Sequence, residues 1–97
     1  MTRRRRRGEV LRFLRESVWK RQYVYTRHAK LEMRDDGLRP RDVRRVLLTG
    51  DLVRTFTRDP RGPRHLMRGL TVHGRAVEIV WRKVLDYVRI ITVFVVE

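Results

Sequence analysis

After Gly50 the periodicity of this chain changes, and that change limits the folds open to it more than any other feature. Upstream, apolar residues recur at steps of three and four, the spacing that places them on one side of an α-helix. Downstream they alternate at period two and are rich in β-branched types, as a half-buried strand requires. The upstream half predicts three helices. Val10, Leu11, Leu14 and Val18 mark an amphipathic helix over about 9–22, with Arg12, Arg15 and Lys20 off the apolar stripe. Residues 23–26, "YVYT", read as a short β-prone connector. Thr26 is a suitable N-cap for a second helix over about 27–36 that stops at Gly37. Pro40 suits the first turn of a third helix, where Val43, Val46 and Leu47 face inward and Gly50 ends it.

Residues 52–57, 64–72, 75–83 and 88–96 predict four strands in an antiparallel meander. His73-Gly74 is a two-residue hairpin turn, "RDPRGP" at 58–63 a longer loop, and Leu85-Asp86 the last turn. In the third strand Val77, Ile79 and Trp81 point one way, while Ala76, Glu78, Val80 and Arg82 point the other. The last strand is apolar on both faces, which puts it inside the sheet. The expected architecture is α+β: N-terminal helices packed on one face of a four-stranded antiparallel sheet, whose polar face stays open to a ligand.

Ninety-seven residues suffice for one modest core. Arg3, Arg4, Arg5, Arg6 and Arg7 form a self-repelling block, so residues 1–8 are expected to be a disordered basic tail and 9–97 a single domain. The formal charge is +14, from 25 Lys and Arg against 11 Asp and Glu, and almost all of the cations are arginine. A guanidinium matches phosphate oxygens two at a time and stays charged, so RNA is the expected partner, bound by the arginine block together with Arg64 and Arg75. A membrane surface or an acidic protein would also suit such a charge. The absence of cysteine rules out disulfides and thiolate metal sites. Glu9, Arg12, Arg15 and Glu16 interrupt any signal-peptide core, and no apolar run is long enough for a spanning helix, so a cytoplasmic location is expected.

His28, Glu32 and Asp35 fall at i, i+4 and i+7, one titratable side of the second helix. As a solvated surface pair, His28 and Glu32 would contribute only about 0.2 to 0.5 kcal/mol. A metal would need more ligands than these two, and His65 and His73 add no supporting pattern, so no metal is expected. The catalytic reading is cleavage of RNA in which the 2′ hydroxyl attacks phosphorus. A base must take its proton, an acid must protonate the departing 5′ oxygen, and fixed cations must meet the growing charge. Histidine titrates near neutrality and suits the first or second role. Arg64, Arg68, Arg75 and Arg82 suit the third, and Glu78 is either a base or a structural partner of these guanidiniums.

The order of "HAKLEMRDDGLRPRDVRRVLLTGDLV", "RGPRHLMRGLTVHGRAVEIV" and "IITVF" resembles a small bacterial domain family of unknown function, over roughly residues 25–96. That family is commonly grouped with the RelE-like toxin ribonucleases, which share a fold with barnase-like and colicin-type nucleases. The resemblance implies a RelE-like fold and a toxin of a toxin–antitoxin pair that cuts RNA with no metal or other cofactor, and it implies an acidic antitoxin as partner. His28, Gly37, Gly50, Gly69 and Thr92 carry over to matching positions. Glu78 stands where many members have a histidine, and Phe94 where they have tyrosine. Activity would then have to pass to Glu78 or be lost. The candidate catalytic set is His28, Glu78, Arg68, Arg82 and Thr92. The alternatives are a non-catalytic RNA- or ribosome-binding module that uses its arginines for backbone contacts, and a protein-interaction domain that docks an acidic partner.

Overall fold

A computed structural model describes residues 3–96, with side chains from Arg6 onward. The elements run α1 (Arg3–Trp19), β1 (Tyr23–Tyr25), α2 (Arg27–Asp36), α3 (Pro40–Thr49), β2 (Asp51–Phe56), β3 (Arg64–Leu70), β4 (Ala76–Val84) and β5 (Tyr87–Val95). They form a five-stranded mixed sheet in the order β1-β5-β4-β3-β2.

This corrects the four-stranded antiparallel sheet expected from the sequence. The "YVYT" connector contains a true strand, and it pairs parallel to the last one, with Tyr23 opposite Val88 and Tyr25 opposite Ile90. Three residues are too few to display an alternation, and the partner lies at the far end of the chain, so nothing local announces the pairing. The helices are therefore not all N-terminal to the sheet: β1 separates α1 from α2. β5 is interior, between β1 and β4, as its two apolar faces require.

Helix boundaries follow local chemistry. Thr26 caps α2 by accepting the Ala29 N–H at 3.1 Å, and its own hydroxyl donates to the Ile91 carbonyl at 2.8 Å, tying the start of the helix to β5. Gly37 ends α2 in the left-handed region at φ 67°, where a side chain would be strained. The Asp42 carboxylate accepts the Arg39 N–H at 2.9 Å at the start of α3. Gly50 closes α3 in an extended conformation, and its lack of a side chain serves packing: a Cβ there would lie 2.6 Å from the carbonyl oxygens of both Val46 and Arg68. Helix α1 begins at Arg3 rather than near Glu9, so the arginine block is drawn into its first turns.

The core lies between the helices and one face of the sheet. Leu14, Val46, Leu47, Met67, Ile79, Ile90 and Val93 are completely buried there, and Trp81 nearly so. Each such aliphatic side chain contributes about 1.5 to 3 kcal/mol by leaving water. No described helix is long and apolar enough to cross a membrane.

Candidate functional site

The helices cover only one face of the sheet, so alternation along each strand sends a second set of side chains to the uncovered face. Strand pairing places Arg68 opposite Glu78 and Glu78 opposite Phe94, while Val80 lies between Leu66 and Thr92. Arg54 and Phe56 of β2 and Arg64, Arg82 and Arg89 occupy the same face. The guanidiniums of Arg54 and Arg64 stand over the Phe56 ring, 4.9 and 5.4 Å from its centre.

Glu78 is buried on this face, and its Oε2 accepts from Arg68 Nε at 2.8 Å and also from Arg68 Nη2. Of the two sequence-level roles, the geometry matches the structural partner: one carboxylate oxygen holds one guanidinium. Arg82 does not join this pair. It is buried, and its Nη2 donates to Asp59 Oδ2 at 2.6 Å. The same oxygen lies 3.2 Å from Arg64 Nε. Asp59 had no place in the sequence reading beyond its loop. It accepts the Arg61 N–H at 2.9 Å, the local turn that an Asp-Pro-Arg-Gly run favours, and this could have flagged it. That hydrogen bond first, and then the charges of Arg82 and Arg61, hold its carboxyl below the usual range.

His28 stands at the edge of the sheet. Its side chain is 68% exposed, with Nε2 3.3 Å from Glu32 Oε1. Glu32 does more than a surface partner would. β1 pairs with β5 only as far as Ile90, and beyond that point the Glu32 carboxylate accepts the Val93 N–H at 2.9 Å and the Thr92 hydroxyl. Glu32 thus satisfies the strand edge that β1 leaves open, and Thr92 serves to orient it. Asp35, expected on the same side, pairs with Arg34 at 3.5 Å instead.

The remaining expectations separate. Arg75 Nη1 donates to the Asp36 carbonyl at 2.7 Å, fastening the β3–β4 turn to the end of α2. Arg7 donates to the Leu52 carbonyl, and Arg6 lines a neighbouring cavity. The side chains of Arg3, Arg4 and Arg5 lie outside the described residues. His73 meets Arg41 Nη2 at 3.4 Å. His65 faces the helices, beside Val10 and Phe13 of α1. It is buried against Trp81, with ring centres 4.5 Å apart, and its Nδ1 is 2.9 Å from the Thr55 hydroxyl. Burial pushes its pKa down to about 4. Tyr23 and Tyr25 pack edge to face at 5.9 Å, and burial raises the Tyr25 phenol to about 12.

A family model for a domain of unknown function, DUF4258, matches residues 25–95. The chain belongs to that family. The match agrees with the resemblance carried by the quoted motifs, over nearly the same residues. No curated protein and no solved structure matches the chain. The DUF4258 segment takes in α2 to β5, and with them the His28–Glu32–Thr92 contacts, the Arg68–Glu78 pair and the Asp59 cluster. Helix α1 and its arginines lie outside it.

Proposed function

We propose that this protein is an RNA-binding domain of the RelE-like toxin kind that cleaves RNA by attack of the 2′ hydroxyl. The observation that carries the reading is a row of polar contacts across four elements of one surface. Arg68 is held by Glu78 on β3 and β4, and Thr92 on β5, diagonal to Glu78, meets Glu32, which in turn meets His28 on α2. Diagonal neighbours in such a pair lie about 7 to 8 Å apart, so Thr92 and Glu78 link the two ends of the row.

In this reading His28 takes the 2′ proton as that oxygen bonds to phosphorus. The bond from phosphorus to the 5′ oxygen breaks, and water supplies the proton that the departing oxygen needs. Glu32 fixes the imidazole, Glu78 positions Arg68, and the exposed side of Arg68 meets the phosphoryl oxygens. An acidic antitoxin protein would be the matching partner for the arginine-bearing face.

A second reading, a non-catalytic RNA-binding module, has its own support. Glu78 and Arg82, both nominated for catalysis, already have partners in Arg68 and Asp59. Incubation of the protein with single-stranded RNA in EDTA separates the two. Cleavage that leaves a 2′,3′-cyclic phosphate, reduced by at least about 100-fold in His28→Ala, supports the ribonuclease. RNA that stays intact yet is bound, with affinity falling steeply as salt rises, refutes cleavage and leaves the module.

A further inference from the structure

One cavity lies away from the open sheet face. It measures about 520 Å³ and opens between the N-terminal half of α1 and the edge strand β2. Small-molecule sites commonly measure about 300 to 1,000 Å³, so it is large enough for a ligand. Arg6, Arg7, Glu9 and Arg54 stand along its wall, three cations against one carboxylate, while Leu52 and His65 give it depth. A smaller cavity of about 190 Å³ shares Glu9, Val10 and His65 with it and reaches Trp81.

Three features of this place are unused by the proposed mechanism. His65 is a buried imidazole tilted at 40° against an indole, and its ring keeps one nitrogen beyond the one that Thr55 engages. The Trp81 side chain is almost wholly buried, yet its Nε1–H has no hydrogen-bond partner among the described residues. Arg54 belongs to both regions: it lines the cavity and stands on the open face over Phe56. A planar ring carrying hydrogen-bond acceptors suits the His65 imidazole, and an attached anion suits Arg6 and Arg54 of the lining.

We propose that this cavity binds a ribonucleotide unit, with its base against His65, whose far side meets Trp81, and its phosphate at Arg54 and Arg6. This rests on the reading of the protein as RNA-binding and extends it, because Arg54 lets a strand lying on the open face pass the β2 edge and seat one base. The shared chemistry, a base joined to a phosphate, comes from either an RNA chain or a free nucleotide.

The chain has two tryptophans, Trp19 and Trp81, and Trp19 is exposed, so Trp19→Phe leaves Trp81 as the only indole reporter. Full-length Trp19→Phe protein is titrated with each of the four ribonucleoside monophosphates, with inorganic phosphate, and with single-stranded RNA and an abasic oligonucleotide of equal length. The expected result is a saturable change in Trp81 fluorescence with base-bearing probes and none with phosphate or the abasic strand. A response to the monophosphates assigns a free nucleotide, and a response to RNA alone assigns the chain. Arg54→Gln, at an exposed position, weakens the response about tenfold, as loss of one charge-assisted hydrogen bond would. Val10→Phe, which narrows the cavity and alters no charge, weakens it as well. The proposal is overturned if no base-bearing probe moves Trp81 at millimolar concentration, or if phosphate moves it equally. RNA binding that persists without any Trp81 response would remove the pocket and leave the open face standing. A Trp81 response that survives in His28→Ala, in the absence of RNA cleavage, would remove the ribonuclease and leave the pocket.

Discussion

Replacing Glu32 with alanine should cost far more than an exposed ion pair can account for. Its carboxylate is the acceptor for the N–H of Val93, a residue with no exposed surface, on the stretch of β5 that β1 does not reach. Removing a charged acceptor from a buried donor costs about 1.5 to 3 kcal/mol. The Glu32 side chain is 24% exposed, which admits some water and favours the lower half of that range, about 2 kcal/mol. The Thr92 hydroxyl adds little, because it can turn toward solvent. For a domain of this size, about 2 kcal/mol lowers Tm by about 10 °C. Glu32→Gln keeps an acceptor oxygen and should cost about half as much. His28→Ala leaves Glu32 on Val93 and should cost no more than about 0.5 kcal/mol, as expected for a mostly exposed imidazole. Urea unfolding of the three variants at neutral pH, with a common m value, measures this order. A Glu32→Ala protein within about 0.5 kcal/mol of the parent would show that the strand edge does not depend on the carboxylate. A His28→Ala loss equal to that of Glu32→Ala would assign the energy to the pair instead.

Other outcomes follow from the same contacts. His65 titrates at about 4 in the folded chain against an ordinary 6.5, so the unfolded chain takes up its proton first as pH falls. Stability tied to this ring is complete above pH 6.5 and declines by about 3 kcal/mol toward pH 4, and urea midpoints for His65→Gln should show a correspondingly flatter profile over that window. Gly50→Ala drives a methyl into the backbone oxygens of Val46 and Arg68 and should destabilise by about 2 kcal/mol or more, read by thermal melting. For RNA binding, Arg89→Ala should lower the slope of log K against log salt by about 0.7, the loss of one phosphate contact on a single strand. Arg82→Ala should leave that slope nearly unchanged while lowering the urea midpoint, because Asp59 already neutralises Arg82 within the fold.

Much of the fold was legible because it depends on local periods. The change of pattern at Gly50, the caps at Thr26 and Gly37, Pro40 at the start of α3, and the alternation that separates Val77, Ile79 and Trp81 from Glu78 and Arg82 all reside in a few neighbouring residues. The parallel β1 was not legible, since a three-residue strand has no measurable period and its partner begins at Tyr87. Gly50 and Gly69 read as a helix stop and a motif position. Their closeness in space became visible only with α3 laid against β3, where a Cβ on Gly69 would be 3.0 Å from the Gly50 Cα.

For the candidate site, the sequence by itself determined which residue types were present: an arginine-rich chain, one histidine a turn before a glutamate, and a strand face bearing Glu78 and Arg82. Only the tertiary structure decided who meets whom. Spacing along a helix predicts that Glu32 can reach His28, but only the height at which β1 ends on β5 gives that carboxylate a second task at Val93. Alternation predicts that Arg82 shares a face with Glu78, yet the loop at 57–63 brings Asp59 over Arg82 and leaves Glu78 to Arg68. The physical reason is range. Periodicity and capping act between residues a few positions apart, whereas the partner of a charged group is whichever opposite charge the folded backbone brings within about 3 to 4 Å.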